Sequence, residues 1–153
     1  MTFDSLAEET FYYRNSHLLT RPTKTDFPVT FYDSEETPFT AKYDFLTNTG
    51  IYIEFKAHQL NNIATKRDSI LALKAQEKYT NNSNRDYKQL KLGWNHSSEK
   101  HSIISSVYGS KYLLVFKDST KISTQSKNKM TSLGINWIYE CELEDTLAIL
   151  SAN

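Results

Sequence analysis

Ala41-Lys42-Tyr43-Asp44-Phe45-Leu46-Thr47-Asn48-Thr49-Gly50-Ile51-Tyr52-Ile53-Glu54-Phe55-Lys56-Ala57 holds two apolar, β-rich runs on either side of Asn48-Thr49-Gly50. Runs of that kind around a short turn sequence predict a β-hairpin. A three-residue loop fits, with Gly50 in the left-handed position that closes a type I turn plus bulge. The loop sets the register: Leu46 opposite Tyr52, Phe45 opposite Ile53, Asp44 opposite Glu54. Side chains alternate across a strand. Tyr43, Phe45, Ile51, Ile53 and Phe55 are therefore expected on one, core-facing side. Asp44, Glu54 and Lys56 are expected on the other, facing solvent.

Facing residues of an antiparallel pair have Cβ atoms about 4.5–5.5 Å apart, and like charges there destabilise it. A bound cation removes that penalty, and carboxylate oxygens are ligands that Mg²⁺ prefers. Lys56 adds an ammonium group two residues beyond Glu54, on the same face. Two metal-binding carboxylates beside an ammonium group are the parts of a phosphodiester-hydrolysis site. The bland alternative is an exposed hairpin with unrelated charges.

The Asp44-x9-Glu54-x-Lys56 pattern resembles the PD-(D/E)xK nuclease superfamily. The stretch YDFLTNTGIYIEFKA, residues 43–57, is most similar to the phage endonuclease I group of Holliday junction resolvases. The close resemblance covers the hairpin, and Tyr43 stands where that family usually has Pro. It implies a restriction-endonuclease-like fold and an endodeoxyribonuclease that uses Mg²⁺ or Mn²⁺. Asp44 and Glu54 would hold the metal, with the backbone carbonyl of Phe55. Lys56 would orient or deprotonate the attacking water and stabilise charge on the phosphorane. Family members often add a metal-linked Glu from the N-terminal helix, where Glu8 and Glu9 are the candidates. Glu9 is favoured, because Glu8 fills the last place of the capping-box pattern Ser5-Leu-Ala-Glu8. Acids in a first helical turn also stabilise the helix dipole by about 0.3–1 kcal/mol without any other role. The resemblance further implies a homodimer acting on branched DNA, since resolution needs two nicks. A restriction or transposon-end type endonuclease of the same fold is a rival. So is a non-catalytic nucleic-acid-binding or inhibitory protein.

The chain has 153 residues, the length of one domain with a real core. Its formal net charge is zero, which counts mildly against a nucleic-acid partner. The charges are unevenly spread, so a local basic surface is compatible with that balance. The single cysteine, Cys141, excludes an internal disulfide and a Cys-based zinc site. It fits a reducing cytoplasm, that of the host if a phage encodes the chain. No secretory leader pattern and no run near the ~18 apolar residues of a membrane span is seen.

A helix is expected from Asp4 or Ser5 to about Ser16, and a strand over Phe27–Tyr32. Helix Ile63–Tyr79 would carry a basic stripe of Arg67, Lys74 and Lys78, spaced by seven and four. A polar loop, Thr80–Asp86, leads to Tyr87–Trp94, where Lys88 and Lys91 stand among rings. Both groups are candidate DNA contacts, against the plain alternatives of a solvated stripe and a core-anchoring strand. A helix capped by Ser97 or Ser98 would bury Ile103, Ile104, Val107 and Tyr108 and end at Gly109. Tyr112–Phe116 is a continuous apolar run, the mark of a strand covered on both faces. A weakly written helix in the lysine-rich 118–129 segment should end at Gly134. Ile135–Leu143 alternates strictly, with Cys141 inward and Glu140 outward. A short helical turn, Thr146–Leu150, closes the series. This order predicts an α/β (α+β) chain with a mixed central β-sheet flanked by helices.

Four glycines leave no Gly-rich phosphate loop, and HExxH and nucleophile-elbow patterns are absent. His17, His58, His96 and His101 show no metal-ligand spacing.

Overall fold

The hairpin forms as its turn chemistry dictates. Strand β6 (Phe45–Thr47) pairs with β7 (Tyr52–Lys56) in the register Phe45–Ile53 and Leu46–Tyr52. Gly50 takes φ +84° and its N–H donates to Thr47 O at 3.1 Å. Thr47 Oγ1 adds a bond from the Ile51 N–H at 2.9 Å, which locks the loop. The computed structural model describes residues 3, 5–21, 24–33, 35–60 and 98–152.

The described residues supply α1 (Leu6–Asn15), β1 (Leu19–Arg21), β2 (Thr25–Asp26), β3 (Phe31–Tyr32), β4 (Pro38–Phe39) and β5 (Lys42–Tyr43) before the hairpin. After it come α2 (Ser98–Tyr108), β8 (Tyr112–Phe116), α3 (Thr124–Ser132), β9 (Trp137–Tyr139) and α4 (Leu143–Ser151). The main sheet is five-stranded, ordered β1-β6-β7-β8-β9. The β1–β6 and β6–β7 pairs are antiparallel, and β7–β8 and β8–β9 are parallel. Two ribbons, β2 with β5 and β3 with β4, stand apart from it. The chain is thus mixed α and β around a central mixed sheet.

Both faces of that sheet are covered. On one, Phe11 of α1 and Leu143 and Leu147 of α4 meet Phe45, Ile53, Phe55, Leu113 and Val115. Phe11 stacks on Phe55 with ring centroids 4.7 Å apart. On the other, Ile104 of α2 and Met130 of α3 meet Tyr112, Leu114 and Phe116. Phe27, Phe31, Phe39 and Tyr43 from the ribbons join this second cluster. Every residue of β8 is buried, as a continuous apolar run between two layers requires.

Several expectations are corrected. The 27–32 segment is not one strand. It holds only β3, because Pro28 lacks an N–H for a ladder and the chain bends there. Val107 is exposed, and the buried positions of α2 include His101, Ile104 and Ser105. The helix buries polar side chains that a purely apolar stripe does not reveal. Strand β9 stops at Tyr139, and Glu140–Glu142 form a 3-10 turn. Cys141 is exposed rather than inward. Its N–H donates to Asp118 Oδ1 at 2.9 Å, and the Glu140 carboxylate accepts two bonds from Arg14, at 2.6 and 2.7 Å. These side-chain bonds draw the backbone off the sheet. The 63–79 helix and the 80–94 stretch lie outside the described residues. Among the described residues, no helix is long and apolar enough to cross a membrane.

Candidate active site

Asp44 stands between β5 and β6. Its N–H donates to Ile53 O at 3.0 Å. That bond is one residue out of step with the Phe45–Ile53 pairing. An extra residue in one strand is a β-bulge, which kinks the strand and re-aims its side chains. Tyr43 and Phe45 consequently leave on opposite faces, not on the shared face that alternation predicts. Tyr43 packs on Tyr52, with ring centroids 4.8 Å apart, while Phe45 packs on Phe11 at 5.0 Å.

The bulge aims the Asp44 carboxylate along the edge of β7. Its Oδ2 accepts a hydrogen bond from the Phe55 N–H at 2.9 Å. In a strand, the N–H and C=O of one residue point to the same side. The Phe55 carbonyl therefore lies on the edge of β7 that Asp44 occupies.

Glu54 lies on β7 in register with Leu114, and its Oε1 is 3.3 Å from Lys56 Nζ. Asp44 and Glu54 are 3% and 5% exposed, so the expected solvent-facing pair is corrected to a buried one. The reason is the second cover of the sheet. The face that carries Glu54 also carries Tyr112 and Phe116 and is roofed by α2 and the ribbons. A hairpin read alone cannot show that roof.

Burial raises the Asp44 carboxyl most, then the charges of Glu54 and Glu8, against the Phe55 N–H and Lys24, and together they push its pKa up to about 8. Lys24 Nζ is 3.7 Å from Asp44 Oδ1. Lys100, half-buried on α2, is held below the usual lysine range by burial, opposed by the attraction of Glu54. His101 beside it is buried, its Nδ1 2.9 Å from the Tyr112 hydroxyl, and burial keeps it neutral. Lys24 and Lys100 were not legible as site residues, because no local motif carries them. They arrive from the residue that precedes β2 and from the first turn of α2.

The N-terminal helix brings Glu8 rather than Glu9 to bear on Asp44. Ser5 Oγ accepts the Glu8 N–H at 3.2 Å, so the cap is built as the sequence predicts. Glu8 precedes the buried Phe11 by three residues, which puts both on the inward face of α1. Glu9 is half a turn away from that face. The capping-box spacing favours Glu9, yet the cap engages the Glu8 backbone N–H, and its carboxylate acts on Asp44. Arg67, Lys74, Lys78, Lys88 and Lys91 lie outside the described residues.

Asp44 Oδ1 and Glu54 Oε2 are buried without a hydrogen-bond partner. Such buried carboxylate oxygens are costly; the Lys24 ammonium near Asp44 Oδ1 and a proton on Asp44 offset part of that cost, and a bound metal ion would satisfy both oxygens. Among the described residues, no group of three His, Cys, Asp or Glu side chains is disposed to hold a metal ion. The donor set still fits Mg²⁺, which is bound through one or two carboxylates and completes its octahedron with water and substrate phosphate. No family model matches the chain, and neither a curated protein nor a solved structure matches it.

Proposed function

We propose that the protein is a Mg²⁺-dependent endodeoxyribonuclease of restriction-endonuclease-like fold, hydrolysing phosphodiester bonds in DNA. The observation that carries this reading is the buried pair Asp44 and Glu54, each with an oxygen that accepts no hydrogen bond, beside Lys56. Burying two acids in a low-dielectric layer costs stability, and strongly perturbed buried acids of this kind cluster at functional sites.

Asp44, Glu54 and the Phe55 carbonyl would hold the metal. When bound, the metal supplies Lewis-acid polarisation of the phosphate and a more acidic water. The Phe55 N–H fixes one oxygen of Asp44, leaving the other to bind. Lys56 is 27% exposed, so its ammonium reaches the open side of the pair. There it orients the attacking water and stabilises charge on the phosphorane. Lys24 and Lys100 offset the negative charge of the carboxylates. The branched substrate and the homodimer rest on the hairpin resemblance.

The test is incubation of the pure protein with plasmid and with a four-way junction, in Mg²⁺ and in chelator. The reading expects Mg²⁺-dependent nicking that Asp44→Asn and Glu54→Gln each abolish while DNA binding persists. Near wild-type nicking by either variant overturns the site. Preference for the junction over linear duplex separates a resolvase from a restriction-type enzyme.

A further inference from the structure

The parallel strands β7 and β8 end side by side, tied by the Lys117 N–H donating to Lys56 O at 2.8 Å. Immediately beyond that bond lies a groove of about 740 Å³, inside the ~300–1,000 Å³ range of ligand clefts. Ala7 and Ala57 form its lower wall, and His58, Lys117, Thr120 and Lys121 bring polar groups to it. Open α/β sheets bind ligands in the crevice outside the carboxyl ends of their strands. This groove occupies that position, one residue past Lys56 on β7 and one residue before Glu8 on α1.

Its chemistry selects an anion. Lys117 and Lys121 are exposed and both line it. The acid between them, Asp118, is engaged elsewhere through Oδ1, which accepts the Cys141 N–H. Thr120 Oγ1 donates to Ala57 O at 3.1 Å, which clamps the 117–121 loop to the end of β7. Gln59 Oε1 accepts the Ser123 N–H at 3.0 Å and fixes the start of α3 to the same wall. The lysines therefore stand on a braced loop at the carboxyl ends of β7 and β8, where the Lys117 N–H bonds the carbonyl of Lys56, and the two small alanines line the same groove.

We propose that this groove seats the nucleic-acid backbone next to the scissile phosphate, with Lys117 and Lys121 pairing to non-scissile phosphodiesters. The inference rests on the nuclease reading, and it assigns to that site a phosphate track that the 41–57 hairpin does not contain. One alternative chemistry, a free phosphate or nucleotide, would use the same lysines but would show no dependence on strand length.

The experiment measures equilibrium binding of a four-way junction and of a 20-nucleotide single strand in chelator, across a salt series. Each phosphate neutralised contributes about 0.9 to the slope of log K against log salt on duplex, and about 0.7 on a single strand. The Lys117→Ala/Lys121→Ala protein should lose about 1–2 from the slope on duplex arms and bind at least tenfold more weakly in low salt. The exposed pair Lys111→Ala/Lys129→Ala, with the same charge removed elsewhere, should keep the wild-type slope. Equal slopes for wild type and both double variants overturn the track. A slope loss shared by both overturns it too, since net charge alone would explain that. Wild-type binding to inorganic phosphate but not to either nucleic acid overturns it in favour of a small anion. Mg²⁺-dependent nicking is scored separately on the same proteins. Retained nicking with an unchanged slope removes the track and leaves the nuclease reading. Absence of nicking by wild type removes that reading.

Discussion

Asp44 Oδ2 and the Phe55 N–H form a 2.9 Å hydrogen bond across the bulge, so a backbone amide of the central strand holds one carboxylate oxygen in place. The bond lowers the Asp44 pKa but does not overcome burial and the two neighbouring glutamates. The folded protein without metal therefore keeps a proton on Asp44 that the unfolded chain has lost.

That proton makes stability fall with pH in the metal-free protein. An unfolded Asp titrates near 3.9 and Asp44 in the fold near 8, so the native state binds more protons between those values. Its stability contribution is fully present below about pH 4 and is lost as pH rises through about 8. His101 runs the other way, since its folded value is depressed below an unfolded value of about 6.5 and stability is lost as pH falls below that. The two slopes oppose below about pH 6.5; above it the Asp44 slope is opposed by that of Lys100, whose folded value is also depressed. Thermal melts in chelator should show a declining midpoint from pH 6.5 to 8, and Asp44→Asn should lose that decline. A wild-type midpoint that rises there would contradict the buried pair.

Divalent ions should reverse the decline. A ligand that binds only the native state adds RT ln(1 + [L]/Kd), about 2.7 kcal/mol at 100 times Kd. For a domain of this size that corresponds to a rise of about 5–10 °C. Because the metal displaces the Asp44 proton, the rise should grow between pH 6.5 and 8.5. Differential scanning fluorimetry with Mg²⁺, Mn²⁺ and Ca²⁺ measures it. A shift retained in Asp44→Asn would locate the ion elsewhere.

Glu8→Gln should slow cleavage more than Glu9→Gln. Glu8 acts on Asp44 and shares the inward face of α1 with Phe11. The cap at its N–H is backbone chemistry and survives the substitution. Removing the Glu8 charge should also lower the Asp44 pKa, shifting the pH at which the metal-free midpoint declines. Full activity of Glu8→Gln, or a larger loss in Glu9→Gln, would restore Glu9 as the helical acid.

Glu140→Gln should destabilise the fold by about 1 kcal/mol, a fall of about 2–4 °C. The Glu140 side chain is 8% exposed and accepts the Arg14 fork and the Asn15 amide. Arg14 is 48% exposed, and solvent screens its share. Chemical denaturation in urea reads the change, and the effect should shrink at high salt. An unchanged midpoint would mean that the apolar contacts of Phe11 alone hold α1.

The hairpin was readable because its signals are local. Gly50 writes the turn, the turn writes the register, and Phe45 through Phe55 write a buried face. The run Tyr112–Phe116 declared its two-sided burial in the same way. What could not be read was the second layer above Glu54. His101 and Ser105 are polar residues on the buried side of α2, and only their partners and neighbours in space explain them. The Asp44 bulge was illegible for a related reason. Alternation is a property of regular strands, and nothing in Lys42-Tyr43-Asp44-Phe45 announces an extra residue. Lys24 and Lys100 joined the site from elements whose packing no spacing rule encodes.

Arg14 and Glu140 are 126 positions apart, and Phe11 shares its cluster with Leu143 and Leu147. Helix α1 is thus fastened twice, by the hairpin rings Phe45 and Phe55 and by groups from the far end of the described sequence. Contacts of such long sequence separation form slowly, because the loop between them must close first. Docking of α1, and with it Glu8, onto the hairpin is therefore a high-contact-order step of folding.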